Sequence, residues 1–536
     1  GVWDDQNKAL ALGTGLSFLV ILVWFVLFPP PRPESDPNEP GTVKSENGAT
    51  GTDVALLPPA AGDGSAAPAD ATAATTVPAA PRLPIETPEL EGSISLIGGR
   101  IDDLSLRGYF ETLDEGSPIV RLLAPVGSAD PYYALYGWAP GGDLGFEDVP
   151  GANTEWRVEQ GETLTPESPV TLVWENGKGL IFRRVVSIDA NFMFSVTQSV
   201  ENTGAAAVRL APYGIVARHG LPDDLQNFFI LHEGVVRKVD GQLDELAYDD
   251  IPDLDVVARE GAAAEVVEVA ADGWIGFTDK YWMTTLIPGA DQPFSSVTKY
   301  GANADIYQTE ARLPAMTVEA GQSAEVTTLL FAGAKEWETI RNYQNEGGIE
   351  RFLDSIDWGW FYFLTKPIFW LLHNLNVMIG NMGLAIIALT VIIKAVLFPL
   401  AYKSYASMAR MRELQPQMEK LKERVGDDRQ KMQQEMMELY KREKVNPAAG
   451  CLPILLQIPI FFSLYKVIFV TLELRHAPFF GWLNDLSMPD SSSTFNLFGL
   501  LPWDAPEPTS ILALIFSGVL PILLGISMWL QQKLNP

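Results

Sequence analysis

The sequence predicts two folds in one chain: an α-helical core that crosses a membrane several times, and an all-β sandwich domain outside it. Three observations carry this. Residues 383–402, GLAIIALTVIIKAVLFPLAY, are apolar except for Thr390 and Lys394, and at about 1.5 Å per residue they match a hydrocarbon core of about 30 Å. Three further apolar runs, at residues 9–28, 451–472 and 510–530, have comparable length. Between the first run and the others, residues 93–331 break into short strand and turn units, the pattern of a large antiparallel sandwich.

Charge orients these parts. The net charge of −29 is uneven: residues 34–350 carry 50 acids against 19 bases, and residues 403–446 carry 11 bases against 8 acids. Excess lysine and arginine beside a span marks the cytoplasmic side. The acidic domain therefore lies outside, and its charge argues against nucleic acid as its partner. The single cysteine, Cys451, excludes a disulfide within one chain. No GxxxxGK[ST] loop occurs, and the four histidines have no metal spacing. No cofactor and no metal are expected.

Residues 1–32 read as an uncleaved signal anchor, because the apolar run exceeds a signal-peptide core and lacks a small-x-small cleavage site. Residues 33–92 are rich in Pro, Ala, Gly, Thr and acids; they bury too little apolar surface to offset ordering entropy and read as a disordered tether. Residues 93–350 form the sandwich. Within it, residues 180–188 and 192–200 flank Asp189-Ala190-Asn191 as a hairpin. Such sandwiches often bind sugars, but no pair of carboxylates stands out from the acid-rich background as catalytic.

Residues 351–382 are crowded with Trp358, Trp360, Phe361, Tyr362, Phe363, Phe369 and Trp370. Indole and phenol rings favour the headgroup level, so this stretch reads as an interfacial helix broken near Pro367. The second span, 383–402, places Lys394 about 12 Å from its nearer end at Tyr402, too far for easy snorkelling. A cation there costs at least about 2.5–3.5 kcal/mol and must face water, protein or a partner charge. Residues 403–446 repeat apolar side chains at steps of three and four, with a break at residues 425–428. They read as a helical hairpin with Met408, Met411 and Met418 on one arm and Met432 and Met436 on the other. Those methionines form its seam, or an adaptable apolar surface for varied hydrophobic segments. Residues 447–472 are the third span, with Pro453, Pro459 and Gln457 inside it; 473–509 are an aromatic outer loop; 510–536 are the fourth span.

Several long motifs, SMARMRELQPQMEKLKERVGDD, EMMELYKREKVNPAAGCLPILLQIPIFFSLY and ELRHAPFFGWLNDLS, occur in order. With them, residues 355–533 resemble the YidC/Oxa/Alb family of membrane protein insertases. The anchor, tether and β-domain look like its Gram-negative form, whose outer domain is a periplasmic β-supersandwich. The resemblance implies a multi-pass protein of the bacterial inner membrane with a cytoplasmic N-terminus. It implies no enzyme activity but insertion and folding of membrane proteins through a hydrophilic intramembrane groove. Lys394 stands where the family usually has arginine, keeping the charge and losing the bidentate fork. Thr390 matches a position that meets the substrate, and Gln457 joins them in the groove. The implied partners are nascent membrane proteins, the ribosome, the Sec translocon with its accessory subunits, and membrane lipids. The family carries two further spans after the fourth, which are absent from this sequence. The residues alone leave two alternatives open: an ion or solute channel filtered by Lys394, and a membrane-anchored sugar-binding protein.

Overall fold

The computed structural model describes residues 58–59, 80–225, 231–426, 429–443, 452–488, 493–497, 501, 503 and 518–534. The anchor expected over residues 1–32, most of the tether, Cys451, residues 510–517 and the Met408 side chain lie outside them.

Among the described residues the β-domain is two antiparallel sheets, of eleven and nine strands. The hairpin at Asp189 shows why. Leu180–Ile188 alternates buried and half-buried residues, which suits one face on a core and one near solvent. It pairs with Met193–Asn202 in a register that sets Leu180 opposite Asn202 and Ile188 opposite Phe194. Asp189 closes the turn by accepting from the amides of Asn191 (2.9 Å) and Met193 (3.0 Å). This is the local Asx bonding that makes aspartate a turn residue. Ser323–Ala334 pairs on the other side of Met193–Asn202.

The sheet begins earlier than the boundary expected at residue 93. Arg82–Glu86 pairs with Leu90–Ser95. Leu83 and Ile85 alternate inward, and Arg82 forms an ion pair with buried Asp102. The prolines at 81 and 84 disguise this strand, since proline is tolerated at an edge where no partner needs its amide.

The core between the sheets is aromatic and aliphatic, with Trp138, Trp274, Phe182, Phe194 and Phe277 fully buried. Arg184 lies inside it. Its guanidinium donates to the carbonyls of Tyr136 (2.6 Å), Gly99 (2.8 Å) and Gly98 (3.2 Å) and covers the Trp156 ring at 4.5 Å. Arg184 belongs to the nine-strand sheet and Tyr136 to the eleven-strand sheet, so this cation ties the two together. Burial pulls its pKa down to about 10.

A second charged cluster explains why acids in this domain are not free for chemistry. Lys299 lies 2.7 Å from Glu260 and 2.8 Å from Glu310, and Arg312 lies 2.6 Å from Glu260. Burial pushes Glu260 up, but the Arg312 hydrogen bonds and the Lys299 charge outweigh it and hold the carboxyl at about 2. A carboxylate that stays ionised and committed to two cations is a structural brace.

Seven helices are described. Helix α1, Trp337–Asn345, closes the sandwich, its Tyr343 hydroxyl donating to Asp189 at 2.6 Å. A 3-10 turn at Phe352–Ser355 plugs Phe352 against Trp274, Phe331 and Tyr343. Helix α2, Tyr362–Ile379, keeps Pro367 inside it and is not broken there; it forgoes one backbone bond, the one its missing N–H would make. Helix α3 is Met382–Glu413, α4 Gln415–Val425, α5 Arg429–Arg442, α6 Leu452–Val470 and α7 Val519–Leu534. Among the described residues α3 is the one helix long and apolar enough to cross a membrane on its own.

Candidate functional site

The site is built on α3, and its start is fixed by local chemistry. Gly380, with φ 73°, ends α2 in the left-handed conformation that glycine adopts without strain. Asn381 then caps α3, its side chain accepting from the Leu384 amide at 3.0 Å. A Cβ on Gly383 would meet the Phe479 ring at 2.1 Å, so the segment after α6 packs directly on this turn. Met382, Ala385 and Leu389 are buried with Phe369, Leu372 and Leu375 of α2 and with Val467 and Val470 of α6. This buried stripe fixes which way the remaining faces of α3 point.

At about 100° per residue, Thr390 and Lys394 fall roughly 100° and 140° around from Leu389. Both are exposed, one turn apart on a shared face. The Thr390 hydroxyl is satisfied by its own helix, donating to the Ile386 carbonyl at 2.9 Å. No carboxylate among the described residues pairs with Lys394. Gln457, on α6, is half-buried. Among the described residues no hydrogen bond joins it to Thr390 or Lys394. The structure thus brings Thr390 and Lys394 together on one face and leaves Gln457 on a neighbouring helix.

Helix α3 does not stop where the apolar run ends at 402. It continues to Glu413, 32 residues in all, or about 48 Å, carrying Lys403, Arg410 and Arg412 past the end of an apolar core. Helices α4 and α5 then fold back on each other around Gly426, whose φ is 63°. Arg424 pairs with Glu435, Tyr440 donates to the Met418 sulfur at 3.6 Å, and Arg442 donates to Gln417 at 3.3 Å; these contacts make the pair antiparallel. The buried seam is Leu414, Leu421 and Leu439. Met411, Met418, Met432 and Met436 are half-buried beside it, so they present part of their surface outward.

A second charged centre joins the helices to the sandwich. Lys466 of α6 is only 5% exposed and pairs with Asp357. The Asp357 carboxylate also accepts from the His232 amide (2.8 Å) and the Gly359 amide (3.0 Å). Nearby, Asp354 holds both Lys366 (2.5 Å) and Arg351 (2.6 Å). Lys335 lies inside the sandwich, donating to the Thr278 hydroxyl at 3.0 Å. Burial pulls its pKa down to about 8 despite the charges of Asp279, Asp357 and Glu233. On the far side, Lys280 covers the Phe469 ring at 4.3 Å, and Arg475 donates to the Phe110 carbonyl at 2.6 Å.

The model of the YidC periplasmic domain matches residues 82–371, and that of the 60Kd inner membrane protein matches residues 374–536. The chain belongs to the YidC family of membrane protein insertases. It is 69% identical to the membrane protein insertase YidC of Jannaschia sp. (strain CCS1), over 99% of this chain and 88% of that one. It is equally identical, with the same coverage, to that of Dinoroseobacter shibae. A solved structure of an active YidC insertase, with its first transmembrane domain resolved, is similar over 79% of each chain at 18% identity and a TM-score of 0.27. By the family models, the two-sheet sandwich falls in the YidC periplasmic domain, and α3 to α7 fall in the inner-membrane part. Lys466 carries the same sequence signal as Lys394, a lysine within an apolar run.

Proposed function

We propose that this chain inserts nascent membrane segments through a groove centred on Lys394, with Thr390 one turn away and Gln457 on the neighbouring span. The observation that carries this reading is the state of Lys394. It stands midway along the apolar part of α3, exposed, and unpaired among the described residues. A cation kept in an apolar run without a partner costs free energy, so its retention points to use. A hydrated groove shortens the apolar path that a polar tail must cross. Within it the ammonium attracts acidic tail residues by on the order of 1–4 kcal/mol at about 4 Å. The hydrophobic segment then partitions into lipid at roughly 25 cal/mol per Å². No bond is made or broken, and no catalytic residue is required.

The topology we propose has the N-terminus in the cytoplasm, an anchor over residues 1–32, the sandwich in the periplasm and the α4–α5 hairpin in the cytoplasm. The half-buried hairpin methionines meet the arriving segment, since thioethers adapt to varied apolar shapes. Met408 belongs to the same proposed surface. The ribosome and the Sec translocon with its accessory subunits deliver or receive the client.

The test is protease protection of client tails bearing a graded number of aspartates. Lys394→Arg inserts them at least as well as the parent, because charge is what the position supplies. Lys394→Ala loses the most acidic tails by about tenfold, and uncharged tails least. Lys394→Glu is worse than alanine for acidic tails. If alanine inserts every tail like the parent at equal expression, the groove has another centre.

A further inference from the structure

The joint between sandwich and helices encloses a cleft of about 590 Å³, and none of Thr390, Lys394 and Gln457 lines it. Three features of its lining ask for a ligand. Ser463 of α6 is fully buried, and its hydroxyl has no hydrogen-bond partner among the described residues. A buried hydroxyl left unpaired is costly. Glu245, on the edge strand Gln242–Ala247, lines the same cleft, and among the described residues no hydrogen bond or ion pair meets its carboxylate. The cations around it are committed, Lys466 to Asp357 and Lys366 with Arg351 to Asp354. Glu245 is exposed, and the charges of Lys466 and Lys335 act on its carboxylate without touching it, so what it lacks is a cation in direct contact.

The rim supplies the third feature. Trp360 is 93% exposed and Tyr362 59% exposed. Uncovered indole and phenol faces attract ammonium groups and favour the headgroup level of a bilayer. Phe462 lines the cleft one turn before Lys466, on the flank of α6, and is half-exposed. Lys466 is four residues from the end of α6 at Val470, or about 6 Å, so the cleft opens at the outer rim of the span and continues along its apolar side. A ligand that fits bears an ammonium, an acceptor for a hydroxyl, and an apolar tail. We propose that this cleft binds the headgroup of an outer-leaflet aminophospholipid. Its ammonium lies on Glu245 within the Trp360–Tyr362 rim. Its phosphate accepts from the Ser463 hydroxyl and from a free hydrogen of Lys366, whose ammonium has three to give. Its acyl chains run past Phe462. The bound lipid would fill the joint by which the periplasmic domain rests on the membrane. This rests on the reading that α6 crosses the bilayer with its Lys466 end outward.

The experiment uses the full chain in vesicles of equal phosphatidylethanolamine and phosphatidylglycerol, extracted and examined by native mass spectrometry for retained lipid. The parent retains phosphatidylethanolamine over phosphatidylglycerol. Glu245→Gln lowers that retention about tenfold, the loss expected for one charge-assisted hydrogen bond. Trp360→Ala, a change at an exposed ring that cannot unfold the chain, lowers it several-fold, by roughly the strength of a cation–π contact. Free phosphoethanolamine at millimolar concentration leaves the lipid in place. Equal retention of both lipids by the parent, undiminished retention by Glu245→Gln, or displacement by the soluble headgroup each overturns the proposal. No client is inserted in this measurement, so its failure leaves the Lys394 groove standing, and failure of the Lys394 variants leaves this cleft standing.

Discussion

Lys394 and Lys466 both lie within apolar helices of this protein, and their surroundings treat them in opposite ways. Lys466 is buried and paired with Asp357, and that carboxylate is further held by two backbone amides. Lys394 is exposed on a face shared with Thr390, and no carboxylate among the described residues reaches it. The helices are alike in composition; what differs is what comes to meet them. The segment that leaves the sandwich turns at Gly359 and carries Asp357 to α6, while among the described residues no acidic side chain pairs with Lys394 in the middle of α3. A lysine in an apolar run is thus one signal with two meanings, a joint where a carboxylate arrives and an available cation where none does.

The largest expected effect breaks the joint. Lys466→Ala leaves Asp357 with a charge and no cation, which costs about 3–5 kcal/mol when a buried pair loses one partner. Asp357→Asn leaves the converse, an unpaired ammonium, and also destabilises. The double variant recovers part of the loss, because neither charge is then stranded. Thermal unfolding of the purified chain, followed together with protease sensitivity near residue 359, reads all three. A Lys466→Ala protein that melts with the parent shows that the pair is not holding the sandwich to the helices.

Lys335 sharpens the comparison, since it is buried like Lys466 but reaches a hydroxyl in place of a carboxylate. Its folded pKa, about 8, lies below the ordinary 10.5. Below pH 8 both folded and unfolded chains hold the proton, and the burial penalty is present in full. Between about pH 8 and 10.5 the folded protein sheds it while the unfolded chain keeps it, so this group adds stability as pH rises. The gain approaches about 3 kcal/mol at the upper end. Buried tyrosines such as Tyr132 and Tyr136, whose values are pushed up by burial, work the other way at high pH. The expected result is therefore a difference: from pH 7.5 to 9.5 the parent gains stability relative to Lys335→Met. A difference that stays flat means that folded Lys335 keeps its proton through this range and that burial does not lower its pKa.

Much of this was legible in the sequence. The hairpin around Asp189 follows from alternation and one Asx turn, both local. Thr390 and Lys394 share a face because they are four residues apart on a helix. The rest depended on distant chain. Asp357 and Lys466 are 109 residues apart, and no spacing rule links them. The strand at Arg82–Glu86 was hidden by its prolines and by acidic, alanine-rich neighbours, and only its pairing with Leu90–Ser95 reveals it. The end of the apolar run at 402 marks a change of surroundings, not of backbone. Residues 401–407, AYKSYAS, contain neither glycine nor proline, so α3 runs on.

The smallest expected effect on stability is at Lys394, and that is what makes it decisive. Lys394→Ala removes an exposed side chain that no ion pair engages among the described residues, and alanine is a slightly better helix former. Melting should therefore stay within about 0.5 kcal/mol of the parent, the usual range for a surface change away from special features. The same protein should lose insertion of acidic tails. This pairing of unchanged stability with lost transport is the opposite of Lys466→Ala, where the fold fails first and any loss of insertion follows from it. Both quantities are measured on the same preparations, so a defect in expression cannot imitate the pattern. If Lys394→Ala melts as early as Lys466→Ala, then Lys394 too has a partner in the membrane-embedded protein. The two lysines would then be two joints, and the cation available to a client would have to be sought elsewhere.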